Sequence, residues 1–373
     1  MHLQSDHRFD LKRNRYFVST IPLLFLALFL SIFALACDSV SGTGESGGAW
    51  LISQSEVLDG GPGKDGIPSV DSPRFDPVSG TSYVADDRRV VGIRIGNEVK
   101  AYPHQILDWH EIVNDEIGGV PIALTYCPLT GTGSAWNREI NGSVTEFGVS
   151  GLLYRNNLIP YDRKTGSNWS QMQLRSVSGS NSGDSVETYQ VVETTWETWK
   201  AMYPDSKVLT RETGFTRAYQ SFTYGEGYST NPSQILFPIR NPDERLGRKD
   251  RVHGIIPSGA VPRVYPLNIF TGGVRLIADI IDNDEYIIVG SAEADFAVAF
   301  KIESVDGGDN PTFTAVQNDL PVVLEDSEGN RWDIFGTAVS GPRAGQRLKS
   351  ALSFTGYWFG WADFYPGLQI YDN

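Results

Sequence analysis

Ile122, Leu124 and Tyr126 alternate along the chain with Ala123, Thr125 and Cys127, and this two-residue period predicts a strand that Pro128 stops. Upstream, residues 90–95 and 98–102 flank Gly96-Asn97, a two-residue hairpin signal. Pro103 suits a first helical turn, and Ile106, Trp109, Val113 and Ile117 follow at helical spacing, so one helix is expected to run on until Gly118-Gly119 ends it. Residues 134–139, 144–149 and 152–155 predict further short strands, with turns at Asn141-Gly142 and Asn156-Asn157. Residues 196–203 predict a short closing helix.

The pattern then recurs. Arg89-Val90-Val91-Gly92-Ile93 returns as Arg251-Val252-His253-Gly254-Ile255, and Trp196-x-x-Trp199-x-x-x-Tyr203-Pro204 returns at the same offset as Trp358-x-x-Trp361-x-x-x-Tyr365-Pro366. Residues 285–291 align with 120–127, residues 298–300 with 134–136, and Asp326 and Trp332 echo Asp162 and Trp169. Two motifs at one offset point to an internal duplication. The expected fold is mainly β with a few short helices, in two tandem copies of a similar β-rich lobe. The first copy spans 87–210 and the second, read as scaffold, 249–373. A turn-rich lead-in covers 51–86. The segment 211–248, with Tyr219, Tyr224 and Tyr228, is too aromatic for a plain linker and is expected to pack across both lobes.

Composition bounds the function. The 373 residues are 40% hydrophobic, ample for a core, and 39 glycines and 20 prolines favour turns over long helices. A formal net charge of -14 repels phosphate backbones, so no nucleic-acid partner is expected. Lys12, Arg13 and Arg15 precede an apolar run over 21–36 that ends at Cys37, which is the export-signal pattern. Ala34-Leu35-Ala36-Cys37 resembles a bacterial lipoprotein box. It implies a signal peptide over 1–36, a lipidated Cys37 and a flexible tether over 37–50. An uncleaved anchor is the other reading, because the apolar stretch nearly reaches the ~20 residues that span a bilayer. Both place the body outside the cytoplasm on a membrane. With Cys37 lipidated, Cys127 is the only thiol left and no internal disulfide can form.

The chemistry lies in what differs between the copies. Ser291 stands where the first copy has Cys127, and Leu267 where it has His104. The counterpart of His110 falls near Gly272-Gly273. Loss of all three together suggests that they work together. Cys127 shares its face with Ala123 and Thr125, off the more apolar face, just before Thr130-Gly131-Thr132-Gly133. Backbone N–H groups of such a turn can stabilise a thiolate. Thr130 removes a Cys-x-x-Cys couple, and Gly133 removes a Cys-x5-Arg phosphatase loop. A buried, inert cysteine is the plainer alternative. His110 falls on the apolar stripe of the expected helix, as a core histidine would, and His104 at its start is expected to be exposed.

Three functions fit. The first is a monothiol oxidoreductase or related Cys-dependent enzyme using Cys127, His110 and His104, with Asp108, Glu111 or Asn114 orienting a histidine. The second is a copper-binding or copper-handling protein using His104, His110, Cys127 and Met172, since copper favours sulfur and imidazole. The third is a non-catalytic binding module presenting the aromatic surface of 219–228. Thr130, Gly131, Gly133, Ser170 and Gln171 are candidates to line a pocket.

Ala101-Tyr102-Pro103, Val113-Asn114-Asp115, Thr125-Tyr126-Cys127-Pro128-Leu129-Thr130-Gly131, Val149-Ser150-Gly151-Leu152, and Tyr161-Asp162-Arg163 with Trp169-Ser170-Gln171 together resemble the bacterial domain-of-unknown-function family numbered 3179. The likeness covers nearly all of the body beyond the export segment. It implies neither a reaction nor a substrate.

Overall fold

The Arg-Val-x-Gly-Ile motif forms a strand at each of its two occurrences, because β-branched residues favour extended backbone and its glycine admits a neighbour's ring. The computed structural model describes residues 49–225, 227–303 and 310–372. The export segment and Cys37 lie outside the described residues. Among those described, no helix is long and apolar enough to cross a membrane.

The first hairpin pairs Arg89–Ile95 with Glu98–Pro103, setting Gly92 opposite Ala101. Val191–Thr195 flanks it on one side, and Lys207–Leu209 lies parallel on the other, with Val208 beside Ala101. The second hairpin pairs Arg251–Ile255 with Arg263–Pro266 and sets Gly254 opposite Val264. Ser353–Tyr357 flanks it, and Gln369–Ile370 lies parallel with Ile370 beside Val264. Helices Trp196–Met202 and Trp358–Phe364 each lay a tryptophan on the hairpin glycine. Next comes a meander in each half: Ile112–Ile117, Val120–Cys127 and Thr132–Asn137 in one, Arg275–Ile281, Asp284–Ser291 and Phe296–Ile302 in the other. Two further sheets each bury a tryptophan whose Nε1 donates to an aspartate, Trp169 to Asp162 at 3.1 Å and Trp332 to Asp326 at 2.9 Å.

One expected helix is two elements. The helix stops at His110, and Ile112–Ile117 is a strand. Glu111 makes the break with φ 58° and ψ −30°, without help from glycine or proline. Gly118 and Gly119, at φ 57° and 80°, form the two-residue hairpin turn into Val120–Cys127 rather than a helix end. Both faces of Ile112–Ile117 are covered, so its apolar spacing mimics a helical stripe.

The cores cross between the halves. One combines Cys127, Trp136 and Trp169 with Val252, Trp358 and Trp361. Another combines Val90 and Trp199 with Val298, Phe300 and Trp332. Burying each such side chain contributes on the order of 1.5–3 kcal/mol, so each half is stabilised by the other. The segment 211–248 also touches both: Tyr228 donates to Leu129 O, Asn156 donates to Pro238 O, and the N–H groups of Arg240 and Asn241 donate to Asp363.

Candidate functional site

Strand alternation sends the side chains of Val120–Cys127 into two different cores. Ile122, Leu124 and Tyr126 enter one with Tyr102 and Ile106, while Ala123 and Cys127 enter the one shared by both halves. The face expected to be less apolar is therefore buried too. Cys127 pairs with Thr132 across a turn that Gly131 closes, its N–H donating to Cys127 O at 2.8 Å. Gly131 sits at φ 63°, and a Cβ there would lie 3.0 Å from the Tyr357 ring. The thiol is 1% exposed and donates weakly to Asn156 O at 3.7 Å. Burial pushes it up to about 11, and Glu111 adds to the rise against hydrogen bonds from Thr130 and Leu158.

Glu111 is held beside this strand by its backbone. Its N–H donates to Leu107 O at 2.7 Å and its carbonyl accepts from Tyr126 N at 2.7 Å. Burial raises its carboxyl to about 8. Asp108, one turn earlier, is also buried and is pushed well above the carboxylate range, and its Oδ1 has no hydrogen-bond partner.

Lys249, from the other half, packs among rings that also touch the turn after Cys127. It is 8% exposed, and its Nζ has no hydrogen-bond partner. Three rings surround that nitrogen, with centroids at 3.3 Å for Tyr228, 4.8 Å for Tyr357 and 4.9 Å for Phe359. Burial brings its ammonium down to about 7, opposed by the charge of Cys127. Burial also raises the phenols of Tyr224 and Tyr228, with Cys127 acting in the same sense.

The two histidines make their contacts elsewhere. His104 is not exposed: its side chain keeps 13% accessibility, with Nε2 3.6 Å from Glu193 and its ring against Tyr126 at 4.5 Å. Burial lowers its pKa, and Glu193 opposes this. Glu193 belongs to a buried ion cluster with Arg251, Arg89 and Asp295 that seams the two halves. Burial acts against its charge, but Arg251, His104 and Arg89 outweigh it and hold Glu193 at about 2. His110 is fully buried, with Nδ1 2.7 Å from Pro68 O and Nε2 2.7 Å from Tyr219 Oη. A carbonyl only accepts, so Nδ1 carries the proton and Nε2 accepts from the phenol in the neutral ring.

The remaining candidates scatter. Met172 is core, and its carbonyl accepts from Tyr365. Among the described residues, no three His, Cys, Asp or Glu side chains gather in a way that could hold a metal ion. Thr130 and Gln171 join Thr132 and Asn157 in a buried hydrogen-bond net, and Gln171 Nε2 also donates to Thr125. Ser170 is buried beside it, and Gly133 lines a cleft of about 130 Å³ between the halves. Tyr219 and Tyr228 turn inward, 6% and 0% exposed, so they present no aromatic binding surface. In the sequence Glu111 offers itself only as an orienter for histidine, and Lys249 carries no signal, because it stands in the charge run Arg248-Lys249-Asp250-Arg251 and looks like solvated surface.

A family model described as a protein of unknown function, DUF3179, matches residues 64–368. No curated protein and no solved structure matches the chain.

Proposed function

The chain belongs to the DUF3179 family, and from that premise we propose that it is an enzyme whose reaction depends on the thiol of Cys127. One observation carries the reading: a thiol, a carboxyl and an amine are buried together, each pushed toward its neutral form. A packing cysteine needs neither of its companions, and burying ionisable groups costs stability, so such clusters mark functional sites. The chemistry best suited to it is nucleophilic. The sulfur gives its proton to a basic group of this cluster and bonds to an electrophilic atom of the substrate. The bond to the leaving group breaks, and that group leaves with the pair of electrons and takes the proton held by the Glu111 carboxyl. A monothiol redox cycle would use the same sulfur, with an external thiol resolving the mixed disulfide.

The test is to offer the folded, full-length protein an alkyl halide, a thioester and a disulfide, and to follow modification of Cys127 by mass spectrometry. At least one class is expected to react faster than with the denatured chain. If none does, the sulfur is packing and the proposal fails.

We read 87–210 and 249–373 as products of an internal duplication, supported by the matched pairings of Gly92 with Ala101 and Gly254 with Val264. Splitting the protein between these ranges and finding that either one folds alone with undiminished stability would argue against lobes built to share cores. We also propose that Cys37 carries lipid and holds the body on the outer side of a membrane. Fatty-acid labelling that persists in Cys37→Ser would end that proposal.

A further inference from the structure

Arg211 and Arg217 make no ion pair among the described residues. Each lies over a ring instead, Arg211 Cζ 5.0 Å from the centroid of Tyr83 and Arg217 Cζ 5.9 Å from that of Phe215. Both rings are held in place. Tyr83 Oη donates to Leu209 O, and the Tyr83 carbonyl accepts from Gln105 Nε2 at 3.2 Å. Phe215 packs against the imidazole of His110 at 5.6 Å, and its N–H donates to Thr213 Oγ1 at 3.3 Å. The two guanidiniums and the two rings line one cleft of about 420 Å³. Two carboxylates, Asp76 and Glu212, line it as well. Glu212 is taken up by Arg74 at 2.9 Å, which leaves Asp76 against two guanidiniums. In a chain whose formal net charge is -14, that is a local reversal of sign.

We propose that this cleft binds a small carboxylate carried on a planar ring. A guanidinium stacked on an aromatic face keeps its N–H edge free, and that edge matches a carboxylate through two parallel hydrogen bonds. Stacking also fixes the fork in advance, so less side-chain freedom is lost on binding. Phe215 is 43% exposed and offers the apolar surface on which the ring of the ligand rests. The cleft falls in the range of roughly 300–1,000 Å³ that suits small molecules. A bare phosphate uses the charges and leaves that surface idle, so the rings are what select the ligand. None of the residues lining the cleft belongs to the core that holds Cys127, and the proposal stands apart from the thiol reading.

The experiment is an NMR titration of the folded, full-length protein with benzoate, and with benzamide and inorganic phosphate beside it. Benzoate is expected to saturate with a dissociation constant on the order of 1 mM and to shift the amides of 210–219. Benzamide keeps the ring without the charge, and phosphate the charge without the ring. Each is expected to bind at least about tenfold more weakly. Arg211→Gln and Arg217→Gln are each expected to weaken benzoate by about fivefold or more. The proposal is overturned by benzoate that does not saturate, by benzamide or phosphate that binds as well, or by an affinity unchanged in either variant. Should the variants fail to fold, trypsin decides in the wild type. Benzoate is expected to slow cleavage after Arg211 and Arg217 while other sites keep their rate, and cleavage there at an unchanged rate overturns the proposal.

Discussion

The Cα of Gly92 lies directly beneath the indole of Trp199. A Cβ added there would fall 1.8 Å from Cζ3 of that ring, well inside van der Waals contact. Gly254 stands in the same relation to Trp361, with the nearest ring atoms at 2.4 Å. Both tryptophans are fully buried, so neither can swing aside.

Gly92→Ala and Gly254→Ala are therefore each expected to destabilise the fold by about 3 kcal/mol, the upper range for overpacking. The urea midpoint should drop with an unchanged slope. Gly80→Ala, whose Cβ would meet only Pro77 at 3.6 Å, is the control and should stay within about 0.5 kcal/mol of the parent.

Glu111→Gln is expected to stabilise the protein at alkaline pH. Burial raises the folded carboxyl from 4.5 to about 8. A raised folded pKa gives stability that is present below the unfolded value and lost as pH climbs through the folded one. The wild type should thus weaken between roughly pH 4.5 and 8, and the glutamine variant should lose much of that slope, gaining roughly 2–4 kcal/mol by pH 9. Urea melts across this range check it. A variant less stable than the parent at pH 9 would show the carboxylate to be well solvated in the fold.

Tyr219→Phe is expected to loosen the crossing segment. The phenol links His110 Nε2 at 2.7 Å to Thr213 Oγ1 at 2.6 Å. Removing it should cost about 1 kcal/mol and leave the imidazole acceptor without a partner. Trypsin cleavage after Arg211 and Arg217 should quicken in the native protein, while sites in the sheets keep their rate. On this account His110 matters because it holds 211–225 in place.

The sequence made the strands legible where a period and a turn coincided, as at Gly96-Asn97 and in Val120–Cys127. It misled between Ile106 and Ile117, because a strand buried on both faces satisfies helical spacing as readily as a helix does. The Gly118-Gly119 pair was the missed signal, since two consecutive glycines suit a tight hairpin. Of the site, the sulfur stood out by contrast with Ser291. His104 and His110 shared that contrast yet lie at an ion cluster and against the 211–225 segment, because absence from the matching stretch of 249–373 marks a difference between two ranges and not a common location. Lys249 was invisible for a physical reason. Its partners arrive through long-range packing of Tyr228, Tyr357 and Phe359, and a lysine flanked by Arg248 and Asp250 carries no local sign of a dry environment.

Two of the cores draw side chains from both halves of the polypeptide. Fragments divided between residues 210 and 249 would each expose apolar surface that the other covers, so recovery of a protease-resistant body on mixing them would report reassembly directly.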